Sequence, residues 1–215
     1  MSAPQPRAEA AMVYDEVRNK IVLFGGYTFQ DKGYKKLSDT WEFYDNDWHL
    51  ISEDGPSARN GAAMIFDIKN KVSILFGGST IDRQYGESKG ETWILQDKKW
   101  NKLETEQPTG IYNSAMTYDI KNKRILRFGG WDGELRIRTN ETWVFQNSNW
   151  KRIPTSNTPE KRNHSAMIYD EKSARIILFG GHDGKNIFDD LWEFKDNSWK
   201  KLSGTKPIQR IDNNH

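Results

Sequence analysis

The 215-residue chain contains no cysteine, which excludes disulfides, thiolate metal sites and cysteine nucleophiles. It also lacks an apolar run of 18 residues, so the sequence predicts no membrane-spanning helix. The first seven residues, Met1 to Arg7, lack the apolar segment of a signal peptide. Together these absences favour a cytoplasmic protein without a membrane partner.

The chain also has no large excess of charge of one sign, because Lys and Arg number 32 and Asp and Glu number 30. This balance points neither to nucleic acid nor to a membrane surface. Hydrophobic residues make up only 35% of the chain, but aromatic residues reach 13%. Large rings must therefore supply much of the buried surface.

No segment shows the 3.6-residue periodicity of a helix; instead, one pattern of about 50 residues occurs four times. Each copy has a Met, an aromatic-Asp pair, an apolar run that ends in Gly-Gly, and two Trp residues seven positions apart. The glycine pairs are Gly25-Gly26, Gly77-Gly78, Gly129-Gly130 and Gly180-Gly181, and the Trp pairs are Trp41/Trp48, Trp93/Trp100, Trp143/Trp150 and Trp192/Trp199. A fixed period of this length is typical of an array of equivalent units.

The first copy predicts four short strands. The run from Ile21 to Phe24 is continuously apolar, as expected for a strand covered on both faces. The glycine pair that follows suits a positive φ or the close approach of a neighbouring backbone. A third strand begins at Trp41, and a tight turn leads to a fourth at Trp48. We therefore expect an all-β protein of four-stranded antiparallel sheets arranged radially.

The double glycine after an apolar strand, the Trp on the third strand and the Trp that opens the fourth resemble the kelch repeat of β-propellers. The resemblance implies one propeller array over residues 1–206, in which the first strand of each blade lines a central channel and the fourth lies at the rim. The predicted blades cover about 7–53, 59–104, 111–154 and 162–203, and the tail 207–215 resembles the start of a fifth repeat.

The sequence is compatible with more than one way of closing the ring. Kelch propellers usually close with six or seven blades, and four are present here. The chain is a piece of a longer propeller, a tight four-blade ring, or an array that closes as a homodimer. An open array would expose an apolar flank on each terminal blade, so burial in the first and last repeats distinguishes these arrangements.

The connections after each glycine pair are long and variable, with 14, 14, 12 and 10 residues before the third-strand Trp. They are expected on the same face as the blade-to-blade connections, and variable loops on a rigid scaffold usually carry recognition. Their net charge of −3 (8 basic and 11 acidic residues) disfavours a nucleic-acid partner. The candidate binding residues are the aromatic, Arg and His side chains of these loops: Tyr27, Phe29, Tyr34, Arg83, Tyr85, Trp131, Arg136, Arg138 and His182.

A second candidate site lies just before the first strand of each copy, at the expected channel mouth. These positions differ between copies, as binding positions can, and would suit a small polar ligand. The candidates are Glu9, Arg59, Asn60, Asn113, Arg162 and His164. For the two arginines the alternative is structural: they would tie neighbouring blades together through the acid that recurs two residues before the third-strand Trp, which is Asp39, Glu91, Glu141 or Asp190.

The sequence lacks the residue patterns of most enzymes that are related to kelch propellers. The copper oxidase type needs a Tyr-Cys cross-link, no two His have metal-ligand spacing, and no Gly-x-Ser-x-Gly elbow occurs. We expect neither a metal nor a cofactor. A metal-free isomerase of the sialate mutarotase type, with Glu9 beside Arg59 or Arg162, stays open. The favoured hypothesis is a non-enzymatic scaffold that binds a protein or peptide on the long-loop face; the alternative is a small-molecule or carbohydrate site at the channel mouth.

Overall fold

The computed structural model describes residues 3–31, 33–80, 90–104 and 108–204, together with the backbone of 208–209. Every regular element in these residues is a strand, so they contain no helix that could cross a membrane. In chain order the strands are β1 (Ala11–Asp15), β2 (Lys20–Phe24), β3 (Tyr27–Gln30), β4 (Gly33–Lys36), β5 (Thr40–Tyr44), β6 (Asp47–Ser52), β7 (Ala63–Asp67), β8 (Val72–Phe76), β9 (Thr92–Gln96), β10 (Lys99–Lys102), β11 (Ile111–Tyr112), β12 (Ala115–Asp119), β13 (Arg124–Phe128), β14 (Trp131–Asp132), β15 (Ile137–Arg138), β16 (Thr142–Gln146), β17 (Asn149–Ile153), β18 (Ala166–Asp170), β19 (Arg175–Phe179), β20 (Asn186–Ile187), β21 (Leu191–Lys195), β22 (Ser198–Ser203) and β23 (Ile208–Gln209).

Each repeat forms one antiparallel four-stranded sheet whose four strands are arranged in the order in which they occur in the chain. The sheets are β1-β2-β5-β6, β7-β8-β9-β10, β12-β13-β16-β17 and β18-β19-β21-β22. The first strands pack in succession, β1 on β7, β7 on β12 and β12 on β18. The prediction of an all-β fold made of repeated four-stranded sheets is confirmed.

The long connections contain short strands that the sequence did not predict. β3 and β4 form a hairpin in the first connection, and β14 and β15 form another in the third, where β11 extends it to three strands. In the fourth connection β20 pairs with β23. The first, third and fourth connections therefore have defined backbone shapes.

Neighbouring sheets are held together by a Phe of one repeat and the fourth-strand Trp of the next. The ring centroids of Phe24 and Trp100 lie 5.4 Å apart, and the same contact recurs at 4.9 Å and 5.0 Å in the next two junctions. Each of these indoles also donates a hydrogen bond to a Thr hydroxyl of the preceding sheet. The residues of the two later junctions are Phe76 with Trp150 and Phe128 with Trp199, and the three acceptors are Thr40, Thr92 and Thr142.

The glycine pair allows a close approach between repeats, as predicted. Gly25 and Gly26 have φ values of +64° and +92°. A Cβ atom on Gly26 would lie 2.7 Å from the carbonyl oxygen of Ala8. The amide of Gly26 donates to the carbonyl of Arg59, the residue that leads into the second sheet. The first glycine pair is therefore both a turn and a junction between two repeats.

Arg59 shows why an arginine and an acid recur in the pattern. Its guanidinium donates to the carbonyl of Gly77 and to Glu91, both in the second repeat. Its own amide donates to Leu37 of the first repeat. One buried residue thus contacts two repeats, but the link to the first repeat runs through its backbone. The acid that its guanidinium binds belongs to its own repeat, so the expectation that this acid ties neighbouring blades together is not met. Arg162 makes the equivalent contacts with Gly180 and Asp190, and Arg7 with Gly25 and Asp39.

The third repeat has Ile111 at the position of these arginines. It supplies the guanidinium from its second strand instead of from the segment that precedes the first strand. Arg127, on β13, is fully buried and donates to the carbonyl of Gly129, the first glycine of its pair. Burial lowers its pKa to about 10, although the nearby charge of Glu141 acts in the opposite direction. A guanidinium therefore binds the first glycine of every pair even where the sequence pattern breaks.

The two ends of the array differ in burial from its interior. The second strand of each sheet ends in a Phe. Phe24, Phe76 and Phe128 are buried, but the equivalent Phe179 is 51% exposed. The first-strand Met is buried at Met64, whereas Met12 is 60% exposed. The first and fourth sheets each expose a flank that the inner repeats cover.

The acid of the second repeat is expected to contribute to the pH dependence of stability. Burial acts to raise the pKa of Glu91, but hydrogen bonds from Arg59, Trp93 and Lys102 lower it from its ordinary 4.5 to about 2. A carboxylate with a lowered folded pKa stabilises the protein above the unfolded value, and that contribution is lost as pH falls from about 4.5 to about 2.

We predict that Glu91→Gln lowers the melting temperature at pH 6 and flattens its decline between pH 5 and pH 2. Differential scanning calorimetry across this range measures both effects. Glu104, an exposed carboxylate of the same repeat, provides the control, because Glu104→Gln should keep the wild-type profile. A decline in E91Q that parallels the wild type would contradict the assignment.

Candidate functional site

Three structurally equivalent positions of each repeat meet on the long-loop face. The residue directly after the glycine pair forms an antiparallel bridge with a residue that precedes the first strand. These backbone pairs repeat in geometry, but their side chains do not repeat in chemistry. The pairs are Tyr27 with Ala8, Ser79 with Asn60, Trp131 with Tyr112, and His182 with Asn163.

The third position follows immediately in sequence and has a positive φ in every repeat. It is occupied by Glu9, Gly61, Asn113 and His164, with φ between 51° and 64°. Backbone hydrogen bonds link these residues in order: Gly61 donates to Glu9, Asn113 to Gly61, and His164 to Asn113. Because non-glycine residues rarely adopt this conformation, its presence at Glu9, Asn113 and His164 shows that the fold imposes it.

These positions surround one cavity of about 860 Å³. The two sites that the sequence predicted separately, on the loops and at the channel mouth, contribute to the same walls. The lining residues that were predicted on the loops are Tyr27, Phe29, Tyr34, Trp131, Arg138 and His182. Those that were predicted at the channel mouth are Glu9, Asn60, Asn113 and His164. Lys36, Ser79, Tyr112, Asn163 and Gly184 also line it and were not predicted.

One wall is aromatic and is built by the β3–β4 hairpin. The ring of Tyr27 lies 5.7 Å from that of Phe29 and 5.3 Å from that of Tyr34. Phe29 is 78% exposed, which is unusual for a side chain of this size. The exposed Phe29 ring packs against Tyr27, which in turn packs against Tyr34, so this wall presents an apolar surface to the cavity.

Two basic side chains are fixed in the walls. The guanidinium of Arg138 lies over the Trp131 ring at 4.8 Å and donates through Nε to Asn163. Lys36 is buried, and its ammonium donates to the hydroxyl of Ser79 at 2.8 Å. Both cations are held by neighbours from other parts of the array, so the cavity has defined positive positions.

A polar cluster forms another part of the cavity lining. Nδ1 of His164 is 3.1 Å from Nε2 of His182, and Nε2 of His164 is 4.0 Å from the Glu9 carboxylate. The amide of Asn60 donates to Glu9 at 2.5 Å. The interaction with His164 and then the Asn60 amide lower the pKa of Glu9 despite its partial burial. Glu9 is therefore an anion at neutral pH with fixed hydrogen-bonding partners.

Other predicted site residues lie elsewhere. Arg59 and Arg162 are buried in the ion pairs described above and do not line the cavity, because their guanidinium groups point to the first glycine of their own repeats. Arg136 is exposed in the turn between β14 and β15. Arg83 and Tyr85 fall outside the described residues.

The described part of the chain contains no group of three or more His, Asp or Glu side chains placed to hold a metal ion. His49, which the sequence left without a role, stacks on Tyr44 at 4.0 Å and belongs to the first sheet.

A family model for the KLHDC2/KLHL20/DRC7 Kelch-repeats domain matches residues 68–214, about two thirds of the sequence. The chain belongs to the kelch-repeat family. This match, the four sheets and the glycine pairs agree, and the resemblance inferred from the sequence is confirmed.

Two relatives extend the comparison. The kelch-repeat chain is 24% identical over 203 residues to the alpha chain of the flagellar outer arm dynein of Chlamydomonas reinhardtii, an alignment that covers 84% of this chain and 4% of that protein. The solved structure of YjhT superposes with a TM-score of 0.75 at 13% identity, over 94% of this chain and 72% of that one. The second likeness shows the fold.

The cavity residues missed by sequence analysis share a simple signal. Ser79 directly follows a glycine pair, as do Tyr27, Trp131 and His182, which were predicted from their side chains alone. Tyr112 and Asn163 stand one residue before Asn113 and His164. Position within the kelch repeat would have identified them, whereas residue type did not.

We predict that His164→Ala raises the pKa of Glu9, because it removes the largest interaction that lowers it. A carboxyl-carbon NMR titration of the side chain measures the change. His49→Ala, which alters a histidine of the first sheet outside the cavity, should leave the Glu9 titration unchanged. An unaltered Glu9 titration in H164A would show that the cluster is not coupled as described.

Proposed function

We propose that this kelch-repeat chain is a non-enzymatic interaction scaffold that binds a protein or peptide segment in the long-loop cavity. Kelch domains act in general as protein-interaction scaffolds. The observation that supports this site is the convergence of equivalent backbone positions with unlike side chains. In a repeated fold, positions that maintain the structure keep the same residue in every copy, whereas positions that contact a ligand can differ between copies.

The chemistry of the walls suits a peptide. Tyr, Trp and Arg are the side chains that most often anchor protein interfaces, and Tyr27, Trp131 and Arg138 all line the cavity. The buried Lys36 ammonium, the Arg138 guanidinium and the Glu9 carboxylate supply charges of both signs within one site. A volume of about 860 Å³ accommodates a few side chains of a bound segment.

The polar cluster supports a second candidate, a small polar ligand such as a carbohydrate. Glu9, Asn60, Asn113 and His164 present an acid, two amides and an imidazole within one cavity. Sugar hydroxyls are recognised by such groups, and aromatic rings beside them cover apolar sugar faces. The mutarotase-type alternative required Arg59 or Arg162 beside Glu9, and both guanidinium groups are engaged elsewhere.

A peptide library displayed on phage tests the proposal. We expect selection on the wild-type protein to enrich binders. The double variant Trp131→Ala/Arg138→Ala should weaken binding of the best synthetic peptide by about tenfold or more, because both side chains line the cavity and are of the types that anchor interfaces. Isothermal titration calorimetry measures the loss.

The control variant is Arg152→Ala/Leu202→Ala, which changes two exposed residues on fourth strands. It should bind within about twofold of the wild type. Binding that survives W131A/R138A contradicts a peptide site in the cavity. A failed selection together with a thermal shift from a sugar panel that His164→Ala abolishes would favour the carbohydrate candidate.

A further inference from the structure

The first and third repeats place the same kind of residue pair in the cavity wall. In the β3–β4 hairpin Tyr27 lies directly opposite Lys36, and in the β14–β15 hairpin Trp131 lies directly opposite Arg138. Directly opposed residues of two antiparallel strands have their side chains on the same face. All four residues line the cavity. We call each aromatic residue with its opposed cation an aromatic–cation pair.

Each cation is held by a polar side chain of the next repeat. The ammonium of Lys36 donates to the hydroxyl of Ser79 at 2.8 Å, and Nε of Arg138 donates to the side-chain oxygen of Asn163 at 2.9 Å. Ser79 and Asn163 are both buried. Each belongs to the backbone bridge between the residue after the glycine pair and a residue before the first strand, in the second and fourth repeats. The same framework therefore positions both aromatic–cation pairs, two repeats apart.

The fold does not require a cation at this position. In the fourth repeat the residue after the glycine pair is His182, and it bridges to Ile187, which is apolar. The equivalent stretch of the second repeat falls outside the described residues. Burial of a cation is costly, and Lys36 is only 4% exposed. A requirement of the repeat therefore does not account for the two cations.

Acidic side chains are fewer than cations in the described lining of the cavity. Glu9 is the acid there, against Lys36 and Arg138, and it is bonded to an amide of the polar cluster. Asp132 and Asp183 do not line the cavity and accept hydrogen bonds from backbone amides of their own turns, although the charge of Asp183 also interacts with that of Arg138. The described lining therefore favours a ligand with negative charge.

An aromatic–cation pair suits an acidic side chain that has an apolar neighbour. A planar guanidinium binds a carboxylate through two parallel hydrogen bonds, and an ammonium binds it as a compact charge. The aromatic ring beside the cation packs against apolar groups. Arg138 lies over the ring of Trp131 at 4.8 Å, and Tyr27 continues into the aromatic wall through Phe29. Each pair thus combines a charged and an apolar contact.

We propose that the peptide bound in the cavity contributes two carboxylates, one to Lys36 and one to Arg138, and that an apolar side chain beside each packs against the ring of the same pair. This inference rests on the proposed function and specifies its ligand as an acidic segment with apolar residues next to its acids. A chain terminus supplies only one carboxylate. At least one of the two therefore belongs to an Asp or Glu side chain.

Peptides selected on the wild-type protein from a random phage-displayed library provide the probe. They are synthesised with amidated C-termini, so that every carboxylate belongs to a side chain. We expect the enriched sequences to contain at least two acidic residues. Replacement of either acid by its amide should weaken binding about tenfold in isothermal titration calorimetry, because a hydrogen bond to a charged group is lost. This arm uses only the wild-type protein, so misfolding cannot mimic the result.

Protein variants assign each carboxylate to one pair. Lys36→Met and Arg138→Met remove the charge and keep an apolar side chain, and each should weaken binding about tenfold. In either variant, amidation of the matching peptide acid should have less than about a twofold further effect, whereas the other acid keeps its full effect. Thermal unfolding verifies that each variant is folded.

The matched controls are Lys35→Met and Arg136→Met. They remove exposed cations of the same two hairpins that do not line the cavity. Both should bind the peptide within about twofold of the wild type. Equal losses in K35M and K36M would overturn the assignment of Lys36, and equal losses in R136M and R138M that of Arg138.

Two failures are distinguishable. Enriched peptides with fewer than two acids, or with acids that can be replaced without loss of affinity, overturn this inference. They leave the proposed function in place as long as W131A/R138A still weakens their binding. A selection that enriches no peptide contradicts both proposals.

Discussion

Contact between a phenylalanine of one sheet and a tryptophan of the next is the interaction on which the rest of the molecule depends. It recurs at 5.4, 4.9 and 5.0 Å between Phe24 and Trp100, Phe76 and Trp150, and Phe128 and Trp199. Each four-stranded sheet is too small to bury both of its own faces, so its stability comes from its neighbours. The chain compensates for its modest hydrophobic content by placing its largest side chains at these junctions.

The guanidinium groups add a second, polar constraint at the inner ends of the sheets. Arg59 joins two repeats through its backbone and binds the glycine turn and the acid of its own repeat through its side chain. With the turns fixed, the residues that follow them point in defined directions around the cavity. Tyr27, Ser79, Trp131 and His182 share a backbone geometry and differ in chemistry, so the side chains around the cavity vary while the fold is kept.

Much of the fold could be predicted because the sequence pattern occurs four times. Four copies of the glycine pair and of the two tryptophans predicted the sheets, their strand order and the kelch family. Variation between copies at equivalent positions led to the prediction of Glu9, Asn113 and His164, and residue type led to that of Trp131; all four line the cavity. The hairpins that carry Phe29 and Arg138 could not be predicted, because strands of two to four residues leave no periodicity. The role of Arg127 was not predicted, because Ile111 stands where the other repeats have their arginine. Arg127 comes from a different part of the repeat, and only the structure shows that it binds the same glycine carbonyl.

Packing between sheets is tested most directly by urea denaturation of Phe128→Ala. Phe128 is buried against Trp199, and Phe29, which is 78% exposed, provides the reference substitution Phe29→Ala. We predict that F128A lowers the free energy of unfolding by about 3–5 kcal/mol, whereas F29A lowers it by less than about 1 kcal/mol. Equal losses in the two variants would contradict an array held together by these junctions.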